Sequence, residues 1–143
     1  AKGNVDNGKA VFRRICIACH KIYGEGVDYG PDMMGVGSRM KKELIAESIL
    51  EPNAKLDPKF LTTNVETKDG EAYTGFILSE TPEVLNLKIA GGITQAIKKT
   101  TIAKRETIKQ SSMPEGLAAG MSPTEFIDVV EFLNSLKAPA AAK

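Results

Sequence analysis

Histidine and cysteine are almost absent from this chain, and their placement is as informative as their scarcity. The 143 residues include one histidine and two cysteines, all within the pentapeptide Cys16-Ile17-Ala18-Cys19-His20. Structural zinc takes four Cys or His ligands as a rule, so the three available here do not suffice for it. A site with two imidazoles cannot be built from one copy of the chain. Long apolar runs are also lacking: none approaches the ~20 residues that a membrane-spanning helix needs. Neither sign of charge dominates. The formal net charge is +1 and no basic run stands out, which argues against nucleic acid as a partner. Hydrophobic residues at 42% against charged residues at 26% describe a globular chain rather than a disordered one. The length suits one domain, since domains commonly run ~100–150 residues.

The pentapeptide has the pattern C-x-x-C-H, the attachment signature of c-type haem. In such sites the two thiols form thioethers to the porphyrin vinyl groups, and the adjacent imidazole becomes the fifth iron ligand. Two other readings compete. A thioredoxin-like C-x-x-C belongs at the start of a helix after a buried strand, whereas here an amphipathic helical stretch precedes it. Alternatively the two thiols are buried filler beside a packed histidine. The chain begins Ala1-Lys2-Gly3, and a residue such as Ala1 is compatible with the site left after signal-peptide removal. Haem c is attached outside the bacterial cytoplasmic membrane. The chain therefore reads as a mature exported, periplasmic protein or an excised domain, with its cysteines in thioethers rather than a disulfide.

Asn4 can cap a helix over residues 5–18, with Val5, Phe12 and Ile15 apolar and Lys9, Arg13 and Arg14 solvated. Gly8 in its middle costs helix propensity, roughly 1 kcal/mol against alanine. It is either a tolerated surface glycine or a place where another backbone comes close. Residues 21–39 form a glycine-rich loop, and residues 41–50 have a helical period that ends at Glu51-Pro52. From Phe60 the period changes to that of strands. Asp69-Gly70 is a hairpin signal, Thr81-Pro82-Glu83 a second turn and Gly91-Gly92 a third. These separate strands over residues 61–67, 72–79, 84–89 and 93–102. An antiparallel meander over about residues 60–108 follows, most economically a small curled sheet or partial barrel. Ser122-Pro123-Thr124-Glu125 is a capping box with proline at the first helical position, opening a last helix with Phe126, Val129, Val130, Phe132, Leu133 and Leu136. Residues 138–143 look like a loose tail or linker stub.

The two ends resemble a class I cytochrome c. The matching features are Gly8 and Phe12 one turn apart, then Cys16, Cys19 and His20. Next come Gly30-Pro31-Asp32-Met33 followed by Arg39, then Met113-Pro114 and the helix after Ser122. The β-rich stretch between the second helix and Met113 departs from that pattern and narrows the match. Gly37-Ser38-Arg39, Glu47-Ser48-Ile49-Leu50-Glu51-Pro52-Asn53-Ala54, Thr67-Lys68-Asp69-Gly70, Tyr73-Thr74-Gly75 and Ser112-Met113-Pro114-Glu115-Gly116-Leu117 are similar to phrases of a haem-binding domain family. That family is typical of planctomycetes and verrucomicrobia and is often fused to larger dehydrogenase-like proteins. The resemblance implies an α+β fold: a class I cytochrome c helical core in residues 1–137, with an antiparallel β-sheet inserted between the second helix and the methionine loop.

It also implies the site. One haem c is attached through Cys16 and Cys19, and His20 binds iron through Nε2 with its Nδ1–H held by a carbonyl, by resemblance that of Pro31. A stiffening role in the loop is the plainer reading of Pro31. With no second histidine, methionine leads for the sixth position, and the candidates are Met33, Met34, Met40, Met113 and Met121. Most methionines are core filler. Met33 and Met34 follow the Gly-Pro turn on the His20 side, and Met121 abuts a helix cap. Met113 lies in a flexible Ser-Ser-Met-Pro-Glu-Gly loop where the family places its ligand. An open or lysine-bound site is the alternative. Arg39, with Tyr29, is a candidate to hold a haem propionate, the alternative being a solvated arginine. Phe132 is the expected partner of Gly8, with Phe12 beside it. Lys98, Lys99, Lys104, Arg105 and Glu106 read as a solvated face or a docking surface.

The implied function is single-electron transfer between redox partner proteins, with no catalytic residue. A peroxidase-like enzyme would want a distal histidine that the chain does not have. A gas sensor with a displaceable Met113, or an interaction module in which the insert outweighs the haem, are the remaining readings.

Overall fold

The computed structural model describes residues 2–137, so the expected tail over residues 138–143 lies outside them. Helix α1 spans Val5–Ile15, and a 3-10 turn, Cys16–Ala18, extends it. The Asn4 side chain accepts a hydrogen bond from the Asn7 N–H at 3.0 Å, so one otherwise orphaned donor at the helix start is satisfied. Asp6 in the first turn and Arg13 and Arg14 in the last complement the helix dipole. The glycine-rich stretch is not all loop, because Val36–Arg39 forms a short helix, α2. Helix α3 is Lys42–Leu50 and α4 is Pro123–Ser135. The capping box closes as the spacing predicts: Ser122 Oγ accepts from the Glu125 N–H at 3.1 Å, and Glu125 Oε1 accepts from the Ser122 N–H at 2.8 Å.

Helices α1 and α4 pack where both are most apolar. Val11, Phe12, Val129, Val130 and Phe132 are at most 4% exposed, and the Phe12 and Phe132 rings meet edge-on with centroids 5.9 Å apart. Backbone-to-side-chain bonds fasten the start of α1 to the same helix. Asn4 N–H donates to the buried Asp128 carboxylate at 2.7 Å, and Gly3 N–H donates to Glu131 Oε1 at 3.1 Å. Arg14 adds an ion pair to Glu125 at 2.8 Å.

The sheet has five strands: β1 Leu61–Thr67, β2 Ala72–Glu80, β3 Val84–Ile89, β4 Ile93–Lys98 and β5 Ile102–Ser111. Their spatial order is β4-β3-β2-β1-β5, all antiparallel. The expected meander is therefore present in β1–β4, but the insert differs in two respects. It continues to Ser111, with a strand more than the sequence pattern predicts. The sheet is also open, β4 and β5 being its two edges, so it is not closed into a barrel. The 3-10 turn Lys99–Thr101 divides what reads as one fourth strand and sends the chain back along β1. Thr63 faces Thr107 there, and the two hydroxyls meet at 2.8 Å inside the sheet. Strand β5 escapes the sequence pattern because it is a charged edge. Ala103 through Thr107 are all exposed, so there is no alternation to read, and lysines on an edge discourage pairing with another chain. The buried face of the sheet forms its own core of Val65, Leu85, Leu87 and Ile97, apart from the helical one.

Two residues expected on a solvated face converge instead. Arg105 on β5 donates twice to Glu80 at the end of β2, both bonds at 2.8 Å, and Lys99 Nζ stands 2.6 Å from the same carboxylate. Lys98, Lys104 and Glu106 are exposed as expected. The bonds from Arg105 and then Lys99 hold the Glu80 carboxyl down at about 2, from an ordinary 4.5. A carboxyl lowered in the fold contributes stability that is present above its unfolded value and lost as pH falls through its folded one. The Glu80 contribution should thus be intact above 4.5 and disappear toward about 2. Thermal melts across that window should show a shallower acid decline for Glu80→Gln than for the parent. Parallel acid limbs in the two proteins would show that the triad contributes nothing to acid stability.

Candidate functional site

The site begins where α1 tightens. Its last turn changes to 3-10 geometry over Cys16–Ala18, and the Cys19 and His20 amides both donate to the Cys16 carbonyl, at 3.1 and 3.0 Å. This turn presents Cys16, Cys19 and His20 together at the end of the helix. Cys16 is buried among the residues of the helical core, while Cys19 and His20 are half-buried. Neither cysteine is in a disulfide. Burial pushes the Cys16 thiol up to about 11, with Cys19 adding to the rise, and burial raises Cys19 as well. Thiols that exchange disulfides have lowered values. This pair is therefore not poised for thioredoxin-like chemistry.

The loop after His20 folds back over the imidazole. The Val27 N–H donates to Ile17 O at 3.1 Å, the Gly30 N–H to Cys19 O at 2.5 Å and the Met33 N–H to Lys21 O at 2.9 Å. The loop therefore lies against the motif along its length. At Gly30 the loop passes close to the ring: a Cβ there would lie 2.6 Å from His20 Cε1 and 2.9 Å from Nδ1. The Pro31 carbonyl accepts from His20 Nδ1 at 2.7 Å. That bond places the proton on Nδ1 and leaves Nε2 with its lone pair free for a metal. Burial draws the His20 pKa downward against the opposing effect of the Pro31 bond, which favours the neutral, ligating form.

Arg39 stands further out and is exposed. It donates to Met34 O at 2.8 Å and to Asp32 O at 3.1 Å, so it braces the loop beyond Pro31. Tyr29 packs its ring against Phe76 of β2, 5.2 Å between centroids.

The methionines separate by environment. Met34 is 37% exposed and Met121 is buried at 9%, whereas Met33, Met40 and Met113 are half-buried against the helical core that contains Cys16. The segment around Met113 is less free than its composition suggests. Asn53, in the turn after α3, accepts from the Ser111 N–H at 2.7 Å and donates to Glu115 Oε1 at 3.0 Å, one contact on each side of Met113. The Met113 N–H donates to Ser111 Oγ at 3.1 Å. Next to Met113, the buried Ser112 hydroxyl has no hydrogen-bond partner among the described residues. Buried hydroxyls are rarely left so. Two free cysteines one turn apart and a histidine presenting Nε2 fit a covalently attached haem. Sequence reasoning did not single out Asn53 or Ser112, although both lie in the phrases that carry the family resemblance.

Comparison with known proteins gives the same assignment. The Cytochrome c family profile matches residues 5–81, from the start of α1 through β2. The "Cytochrome c-553-like" protein of Synechocystis sp. (strain ATCC 27184 / PCC 6803 / Kazusa) is 31% identical over 68 residues. That alignment takes in 48% of this chain and 64% of the relative, so the chain spans less than two thirds of the relative's length. Met113 lies beyond the residues matched by the family profile. The chain belongs to the cytochrome c family, whose haem c is attached covalently through cysteine side chains, and Cys16 and Cys19 are the two it has.

Proposed function

We propose that this chain is a monohaem, class I-type cytochrome c that carries single electrons between redox partner proteins, with His20 and Met113 as its axial ligands. The observation that carries the reading is the bond from His20 Nδ1 to Pro31 O at 2.7 Å within the C-x-x-C-H turn, because it orients the one imidazole of the chain for iron. Bound haem supplies an iron that alternates between ferric and ferrous forms. The protein's part is to hold and tune it. Cys16 and Cys19 anchor the porphyrin, and the Pro31 carbonyl fixes the tautomer of His20 and strengthens it as a donor. Met113 supplies a soft thioether, which favours ferrous iron and raises the potential. Phe12, Phe132 and Met121 keep water from the helical core beside the site.

With His20 and Met113 both holding the iron, no position would be left for a substrate to coordinate, which favours a carrier over an enzyme. On this reading residues 1–137 act as one domain of the type found in the planctomycete and verrucomicrobial haem-binding family, exported to the periplasm and paired with, or fused to, a dehydrogenase. Among the described residues no helix is long and apolar enough to cross a membrane. Arg39 remains available toward a propionate through the donors its loop contacts leave free.

The oxidised holoprotein should contain one haem per chain and show the weak near-infrared charge-transfer band of sulfur-to-iron ligation. Met113→Ala should abolish that band. A high-spin spectrum without it in the parent would end the carrier reading in favour of an open-site enzyme or sensor. A band surviving Met113→Ala would move the ligand to another methionine.

A further inference from the structure

Three aromatic rings connect the two segments that bear the proposed ligands, and the middle one belongs to the sheet. Tyr29, immediately before Gly30-Pro31, lies 5.2 Å from Phe76, and Phe76 lies 5.0 Å from Phe60 in an edge-on contact. Phe60 then accepts, through its carbonyl, the Ser112 N–H at 2.9 Å, one residue from Met113. Phe76 is 5% exposed on β2, near the centre of the sheet, whereas Tyr29 and Phe60 stand in connecting segments. A second contact strengthens the loop side. Lys88 is the cross-strand partner of Phe76, so both point to the same face, and its ammonium reaches Asp28 at 3.3 Å although its side chain is only 11% exposed. The Phe76–Lys88 pair therefore grips Asp28-Tyr29, and through Tyr29 the carbonyl that orients His20.

We propose that Phe76 is a positioning residue for both axial ligands, and that the inserted sheet serves as the brace that sets the Pro31 and Met113 segments at a fixed separation. This rests on the His20/Met113 reading above. The physical ground is the difference in stiffness between the two kinds of element. Loops alone hold a site loosely, while a site supported from a hydrogen-bonded sheet is held within tighter limits. An aromatic pair contributes enough that removing it shifts a coupled equilibrium about two- to tenfold. The equilibrium at stake is between Met113 on and off the iron.

The test compares holoprotein variants by imidazole titration of the sixth position, by the near-infrared sulfur-to-iron band and by potential. Phe76→Leu should bind imidazole about two- to tenfold more tightly than the parent, with a weakened band and a lower potential. Tyr29→Leu, which leaves the sheet untouched, should move all three in the same direction. Leu85→Ala, in the separate sheet core, is the control for loosening of the sheet in general. Parent-like imidazole affinity and potential in folded Phe76→Leu or Tyr29→Leu would overturn the brace, as would an equal change in Leu85→Ala. Failure of the ligand reading itself looks different: the parent would then bind imidazole as tightly as Met113→Ala does, and the brace would fall with it.

Discussion

Gly8→Ala should lower the thermal midpoint of the holoprotein by roughly 10 °C, corresponding to about 3 kcal/mol at this chain length. Local propensity predicts the opposite sign. Alanine is the better helix former by about 1 kcal/mol, and Gly8 lies inside α1. The crossing of α1 with α4 decides the matter. A Cβ on Gly8 would lie 1.9 Å from the Asp128 carbonyl oxygen and 2.6 Å from Phe132 Cβ. The nearest obstacle is backbone, which cannot rotate aside as a side-chain tip can, so the helices must separate. Separation loosens the Phe12–Phe132 contact at 5.9 Å and the part-buried bond from Asn4 N–H to Asp128, and with them the core against which Cys16 packs. The effect therefore belongs at the upper end of overpacking costs. Gly120→Ala is the matched control, since nothing lies within 4 Å of its would-be Cβ. Calorimetry of the two variants checks the prediction, and a Gly8→Ala midpoint at or above that of the parent would refute the close-approach account.

The contrast between Gly8 and β5 shows which parts of this fold can be read from sequence. Gly8 is conspicuous because it breaks a local rule inside an otherwise good helix, and a broken local rule marks a tertiary demand. The capping box at Ser122, the turn at Asp69-Gly70 and the C-x-x-C-H window are legible for a related reason, since each is a short pattern whose meaning is local. Strand β5 obeys no such pattern. Its exposed residues alternate with nothing, and its place beside β1 depends on long-range pairs such as Thr63 with Thr107. The open edge of the sheet and the convergence of Lys99 and Arg105 on Glu80 follow from that pairing, so they could not be read before it. Within the site, the pentapeptide and the Gly30-Pro31 turn are visible as motifs. The anchoring of the Met113 segment by Asn53 is not, because it joins residues 58 and 62 positions apart.

Gly30→Ala should raise the reduction potential by about 30–60 mV, since a one-electron couple moves about 59 mV for each tenfold change in the ferric-to-ferrous preference of its ligands. The cause is again a close approach, now against a side chain that the site needs in place. An added Cβ would fall 2.6 Å from His20 Cε1 and 2.9 Å from Nδ1. With His20 held by iron on the proposed reading, the loop is the part that yields, and the bond from Nδ1 to Pro31 O at 2.7 Å lengthens or breaks. The sign follows from what that bond does. A carbonyl accepting from Nδ1–H makes the imidazole a stronger donor, which favours ferric iron, so losing it favours ferrous iron and the potential rises. Loss of such an outer partner typically costs ~10–100-fold in affinity or activity, and only the fraction that differs between the two oxidation states reaches the potential. Spectroelectrochemical titration of Gly30→Ala beside Gly120→Ala separates this from a general effect of adding a methyl group. An unchanged potential in Gly30→Ala, or an equal rise in Gly120→Ala, would mean that the Pro31 carbonyl does not tune the iron through His20. A fall would indicate that the loop had moved so far as to admit water to the ligand, making Gly30 a guard of the site more than a setter of donor strength.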